Sequence, residues 1–202
     1  MRTLYILGSS HANRIYQAAQ KNGNLLKNFK LKAIVKSGAK ISDLPVDDLK
    51  QINASDVLLI QTFGNEIIKP NIFIERTNKG KTIHLKKFEP INQSKIQESY
   101  AYLQHLLSTT AKCEVFIIDN PIRHLNCCKK HRFSDLASFQ RKQNKILKTV
   151  FKEQTVINHE TLVLNRKERQ TGYTELFSDT VHFKNQHYEK MIDTFCKRYL
   201  KI

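Results

Sequence analysis

The stretch Leu4-Tyr-Ile-Leu-Gly-Ser-Ser-His-Ala-Asn-Arg-Ile-Tyr16 decides how the chain is read. Its apolar start is a strand, Gly8 breaks that strand, and a helix runs on from Ser10 to about Gln20. A serine at such a junction meets the unpaired N–H groups and the positive dipole end of the helix's first turn. Two uses of it are open. Ser9 or Ser10 is an N-cap, or its hydroxyl is a nucleophile beside ready-made donors for an oxyanion.

Working outward, strand and helix alternate. Leu31–Val35 is a second strand that ends at Ser37-Gly38-Ala39, and Val46–Ile52 reads as a short helix. Asp56–Gln61 is a third strand whose unbroken apolar run suits a parallel sheet covered on both faces. Asn71–Arg76 and Thr82–Lys87 flank Asn78-Lys-Gly-Lys81, the pattern of a hairpin inserted at about 70–90. Ile96, Tyr100, Leu103 and Leu107 then mark one face of a long helix, and Cys113–Ile118 is the fourth strand. Ser134-Asp135 caps a helix that runs to about Lys152, with Arg141, Lys145, Lys148 and Lys152 on its outer side. Thr155–Ile157 is a brief fifth strand, and a final helix carries Tyr188, Met191, Ile192, Phe195 and Tyr199 on one face. This order predicts one domain over 1–202, a three-layer α/β/α sandwich around a mostly parallel five-stranded sheet, with ligands bound where strands end.

Composition agrees with a packed domain. At 202 residues and 40% hydrophobic content the chain can bury a full core. No apolar run approaches the roughly 20 residues that span a bilayer, and Met1-Arg2 with the short apolar run after it is too brief for a signal peptide. Cys113, Cys127, Cys128 and Cys196 include an adjacent pair, which does not suit a disulfide framework. The expectation is a soluble, intracellular and cytoplasmic protein with reduced thiols. Lys and Arg total 34 against 18 Asp and Glu, a net charge of +16. That field attracts polyanions such as nucleic acid, or an anionic membrane surface, although a solvated basic face is an equally ordinary reading.

The polar residues at the strand ends form a set. Ser10 follows the first strand, Gly38 the second and Asn65 the third, while Asp179 and His182 lie near the C-terminus. A serine nucleophile needs a base, the base needs an orienting carboxylate, and the tetrahedral oxyanion needs donors. Asp179 and His182 are close enough in sequence to share one side of a turn, and Ser10 N–H, Gly38 N–H and the Asn65 amide are the candidate donors. No cofactor enters this scheme.

Gly8-Ser9-Ser10, Gly38, Phe63-Gly64-Asn65-Glu66 and Asp179-Thr-Val-His182 resemble, in order and over nearly the whole chain, the blocks of the SGNH (GDSL-like) hydrolases. The departures are Ser9 for the family's Asp, Phe63 for a Gly, Glu66 for Asp, and Asn185-Gln-His187 where a Gly often follows the histidine. The resemblance implies the flavodoxin-like SGNH fold and metal-free hydrolysis of O-linked short-chain esters, with a small acyl ester as partner. Pro121–His131 is also similar to a Cys-Cys segment in SGNH-type domains of retrotransposon-derived proteins. Two other readings stay open, a basic nucleic-acid-binding module that keeps the fold without useful catalysis, and a lysophospholipase at an anionic membrane.

His124, Cys127, Cys128 and His131 supply metal-ligand types at short spacing, yet adjacent cysteines fit one tetrahedral ion poorly. A structural loop with a buried thiol is the simpler account. His11, beside Ser10, is placed to line the pocket, and His84, His105, His159 and His187 are assigned to surface or core.

Overall fold

A computed structural model describes residues 1–61, 68–78, 81–90, 93–110, 112–120, 136–163 and 184–202, with backbone only for 68–78, 81–90, 110 and 136–139. The elements in order are β1 (Arg2–Gly8), α1 (Ser10–Ala19), α2 (Gly23–Asn28) and β2 (Phe29–Val35). Two 3₁₀ turns, Ile41–Asp43 and Val46–Gln51, lead to β3 (Val57–Gln61). After β4 (Ile68–Asn78) and β5 (Lys81–Pro90) come α3 (Gln93–Thr110), β6 (Glu114–Ile118), α4 (Leu136–Val150) and β7 (Thr155–Ile157). The chain closes with α5 (His159–Val163), α6 (Asn185–Phe195) and a π-helical turn, Cys196–Leu200. The helix expected at Val46–Ile52 is thus a 3₁₀ segment. Its one buried residue is Leu49, and its first turn holds Asp47 and Asp48.

Five strands form one sheet in the order β2-β1-β3-β6-β7, and every pairing is parallel. This is the 2-1-3-4-5 order of the flavodoxin-like doubly wound sheet. β4 and β5 pair antiparallel with each other in a separate two-stranded sheet.

The strands alternate between two apolar layers, as the period of two in an extended chain requires. Leu4, Ile6, Val57, Leu59 and Phe116 face α1, α5 and α6, and pack with Ile15, Leu162 and Phe195. Tyr5, Leu7, Leu58, Ile60 and Ile117 face the other way, against Tyr100 and Leu103 of α3 and Ile146 and Leu147 of α4. Edge-to-face packing of Phe116 on Phe195, centroids 5.2 Å apart, closes the first layer. Because both faces are covered, the strands read as unbroken apolar runs, and each fully buried Leu or Ile contributes roughly 1.5–3 kcal/mol of transfer free energy.

Register brings the carboxyl ends of three strands together. Gly8 lies opposite Val35 on one side and opposite Gln61 on the other. Whatever follows Gly8, Val35 and Gln61 in sequence therefore emerges from one edge.

Candidate active site

At that edge the backbone turns sharply. Gly8 has φ +150°, and a Cβ there would drive into the Gln61 carbonyl and come within 2.9 Å of the Ala12 Cβ. Only glycine fits. The turn is tied on both sides, since Lys36 N–H donates to Gly8 O at 3.0 Å and Ser9 N–H to Gln61 O at 3.4 Å.

Ser9 is the residue before α1, with extended backbone, and its carbonyl accepts from Asn13 N–H at 3.0 Å. Its side chain makes no capping bond. Instead it is 1% exposed, and its Oγ has no partner among the described residues. Ser10 opens the helix and is half-buried. With no acidic residue in the first turn of α1, the positive end of the dipole is uncompensated from within the helix. Gly38 sits in the turn past β2 at φ +75°, with nothing within 4 Å of a notional Cβ. Its conformation, not crowding, asks for glycine.

Ser10 and Gly38 therefore share the carboxyl edge of the sheet. Asn65, Asp179 and His182 lie outside the described residues, as do His124, Cys127, Cys128 and His131.

Beneath this edge lies a polar layer that the sequence did not single out. Asp119, one residue past β6, and His159, which opens α5, are each 1% exposed. Asp119 Oδ1 accepts from the His159 backbone N–H at 2.9 Å and from its ring Nδ1 at 2.8 Å. His11, expected near the pocket, is buried and its Nδ1 is 2.8 Å from the Tyr188 hydroxyl of α6. A cavity of only about 10 Å³ separates the two pairs, and Gln61 lines it as well. His105, by contrast, is exposed on α3.

An amide pair holds α4 to the same edge. Asn144 Oδ1 accepts from Asn120 N–H, and Asn144 Nδ2 donates to Asn120 O, both at 2.9 Å. The outer side of α4 is basic as expected, with Arg141, Lys145 and Lys148 exposed, and Lys152 is exposed just past its end. Among the described residues, no helix is long and apolar enough to cross a membrane.

No protein-family model matches the sequence, and neither does any curated protein. Solved structures do match its fold. A protein of Streptococcus pneumonia provisionally assigned as a platelet activating factor superposes with a TM-score of 0.68 at 11% identity, over 98% of this chain and 84% of that one. A GDSL-like lipase of Bacteroides thetaiotaomicron gives 0.60 at 13% identity, covering 99% and 88%. An acetyl xylan esterase of Geobacillus stearothermophilus, the Axe2 W215I variant, gives 0.58 at 9% identity, covering 97% and 93%. The chain has the α/β fold of these GDSL-like lipases and acetyl xylan esterases.

Proposed function

We propose that the protein is a serine esterase of SGNH type that hydrolyses O-linked short-chain acyl esters. The observation that carries this reading is Ser10, the first residue of α1, at the same carboxyl edge of the parallel sheet as Gly38. A nucleophile there is served by the helix's first-turn N–H groups and dipole. The chain also returns to this helix just after the proposed base. Asn185, three residues past His182, accepts from Arg14 Nη1 at 3.3 Å.

In the reaction, Ser10 Oγ attacks the ester carbonyl carbon and its proton passes to His182, held in the required tautomer by Asp179. Ser10 N–H, Gly38 N–H and the Asn65 amide stabilise the oxyanion. Collapse expels the alcohol, which takes the proton from His182. Water, activated by the same base, then attacks the acyl-serine and releases the acid and the free serine.

A fluorophosphonate probe and a series of 4-nitrophenyl esters of increasing acyl length test this. Wild type is expected to be labelled at Ser10 and to favour short acyl chains. Ser10→Ala and His182→Ala should each lose several orders of magnitude, with little further loss in combination, and Asn65→Ala about a hundred- to a thousandfold. Asp179→Asn is expected to fall between these, and Ser9→Ala to stay active. Labelling that persists in Ser10→Ala, or no hydrolysis of any ester by wild type, refutes the proposal.

A further inference from the structure

Ser10, Arg14, Gln17 and Lys21 recur at the spacing of one helical face, and α1 faces α6 across a groove of about 330 Å³ that this stripe lines from Arg14 onward. Asn185, Tyr188 and Glu189 form the opposite wall. The groove therefore runs away from the first turn of α1, where Ser10 stands.

Its charge is uneven along its length. At the far end Lys21 is neutralised by Glu189, with Nζ 3.0 Å from Oε1. At the near end Arg14 is half-buried and, among the described residues, bonds only the neutral Asn185 Oδ1, at 3.3 Å, with no carboxylate in reach. A guanidinium has five N–H donors, so among the described residues most of its capacity and all of its charge are uncompensated. Side chains of a helix tilt toward its N-terminus, so Arg14 reaches toward the turn that holds Ser10, about 6 Å along the axis.

On the reading of Ser10 as nucleophile, we propose that the α1–α6 groove is a subsite for an anionic group of the ester, a carboxylate or phosphate, bound by Arg14 about one helical turn from the reacting carbonyl. A planar guanidinium matches either anion through two parallel hydrogen bonds. The net charge of +16 adds a field that draws anions to the whole surface, and Arg14 gives that attraction one address beside the chemistry.

The test compares two pairs of substrates: mono-4-nitrophenyl glutarate, with the anion on the acyl side, against neutral 4-nitrophenyl valerate; and 2-acetoxyethyl phosphate, with the anion on the alcohol side, against neutral 2-acetoxyethanol. Wild type is expected to favour at least one anionic ester over its neutral counterpart by about ten- to a hundredfold in kcat/KM, the usual worth of a charged hydrogen bond. Arg14→Gln should erase that preference, lowering kcat/KM on the anionic esters far more than on the neutral ones, and Arg14→Lys should keep part of it. Lys145→Gln, which removes the same charge from α4 on the opposite face of the sheet, should keep it in full. Equal rates on charged and neutral esters in wild type, an equal fall on both in Arg14→Gln, or a matching loss in Lys145→Gln overturns the subsite and leaves the esterase standing. If wild type hydrolyses none of these esters, the esterase reading falls separately. Calorimetric titration with monomethyl glutarate and with ethyl phosphate then decides the groove: binding that Arg14→Gln abolishes upholds an anion site, and no binding overturns it.

Discussion

Asp119 Oδ1 takes two hydrogen bonds from His159, one from the backbone at 2.9 Å and one from the ring at 2.8 Å, and joins the end of β6 to the start of α5. Removing either partner strands a buried polar group, so Asp119→Ala is expected to cost about 3 kcal/mol or more in urea unfolding. In a double-mutant cycle with His159→Ala, the coupling should be on the order of 2 kcal/mol. Coupling below about 0.5 kcal/mol would show that the two residues act independently.

The two glycines of the site edge separate crowding from conformation. Gly8→Ala would push a methyl into the backbone of β3, and it is expected to abolish cooperative folding or cost several kcal/mol. Gly38→Ala meets open space and suffers only the left-handed backbone, about 1–2 kcal/mol. Thermal melts that rank them the other way would refute this account of the turn.

Asp56 gives stability a dependence on acid. Burial alone would raise its carboxyl, but the N–H groups of Asn53 and Thr3 and the Asn53 side chain outweigh burial and hold it below the ordinary carboxylate range. A carboxyl depressed in the folded state stabilises at pH above its unfolded value, roughly 4, and the gain is lost as pH falls through the folded value. Asp56→Asn turns an amide N–H toward other donors and should cost about 1–3 kcal/mol at pH 7. The gap between wild type and variant should narrow below about pH 4. A gap that stays constant from neutral pH to pH 2 would remove the carboxylate from the explanation.

Cys196 is expected to be chemically quiet in the folded protein. Burial, helped by nearby Asp193 and only slightly opposed by its own N–H, pushes the thiol up to about 11. At pH 8 about one molecule in a thousand is then thiolate, the only form that reacts quickly. Peptide mapping after iodoacetamide should find Cys196 unmodified in native protein and modified in urea. Rapid native labelling would contradict its burial.

The strands and the site edge were legible for a common reason. A buried parallel strand must be apolar throughout, as in Val57–Ile60, and a turn that admits no side chain must be glycine, as at Gly8. Five strands and their order of appearance follow from such local constraints. What escaped was either short or non-local. α2 is six residues with only Leu25 buried, and α5 is five residues, both too short for a period to register. Asp119 and His159 are 40 residues apart, and neither position carries a spacing signal, because the fold alone makes them neighbours. Ser9 holds the N-cap position of α1, yet its buried hydroxyl makes no capping bond, which no local pattern reveals.

The sheet's order also governs how it treats other strands. Its outermost members are β2 and β7, each with one side of its backbone unpaired by the five-stranded ladder. β7 is only three residues long, and β2 presents exposed Lys30 and Lys32. A second copy of the chain that tried to extend the sheet would find too few hydrogen bonds at one border and like charges at the other, so ladder growth between molecules is discouraged from both sides.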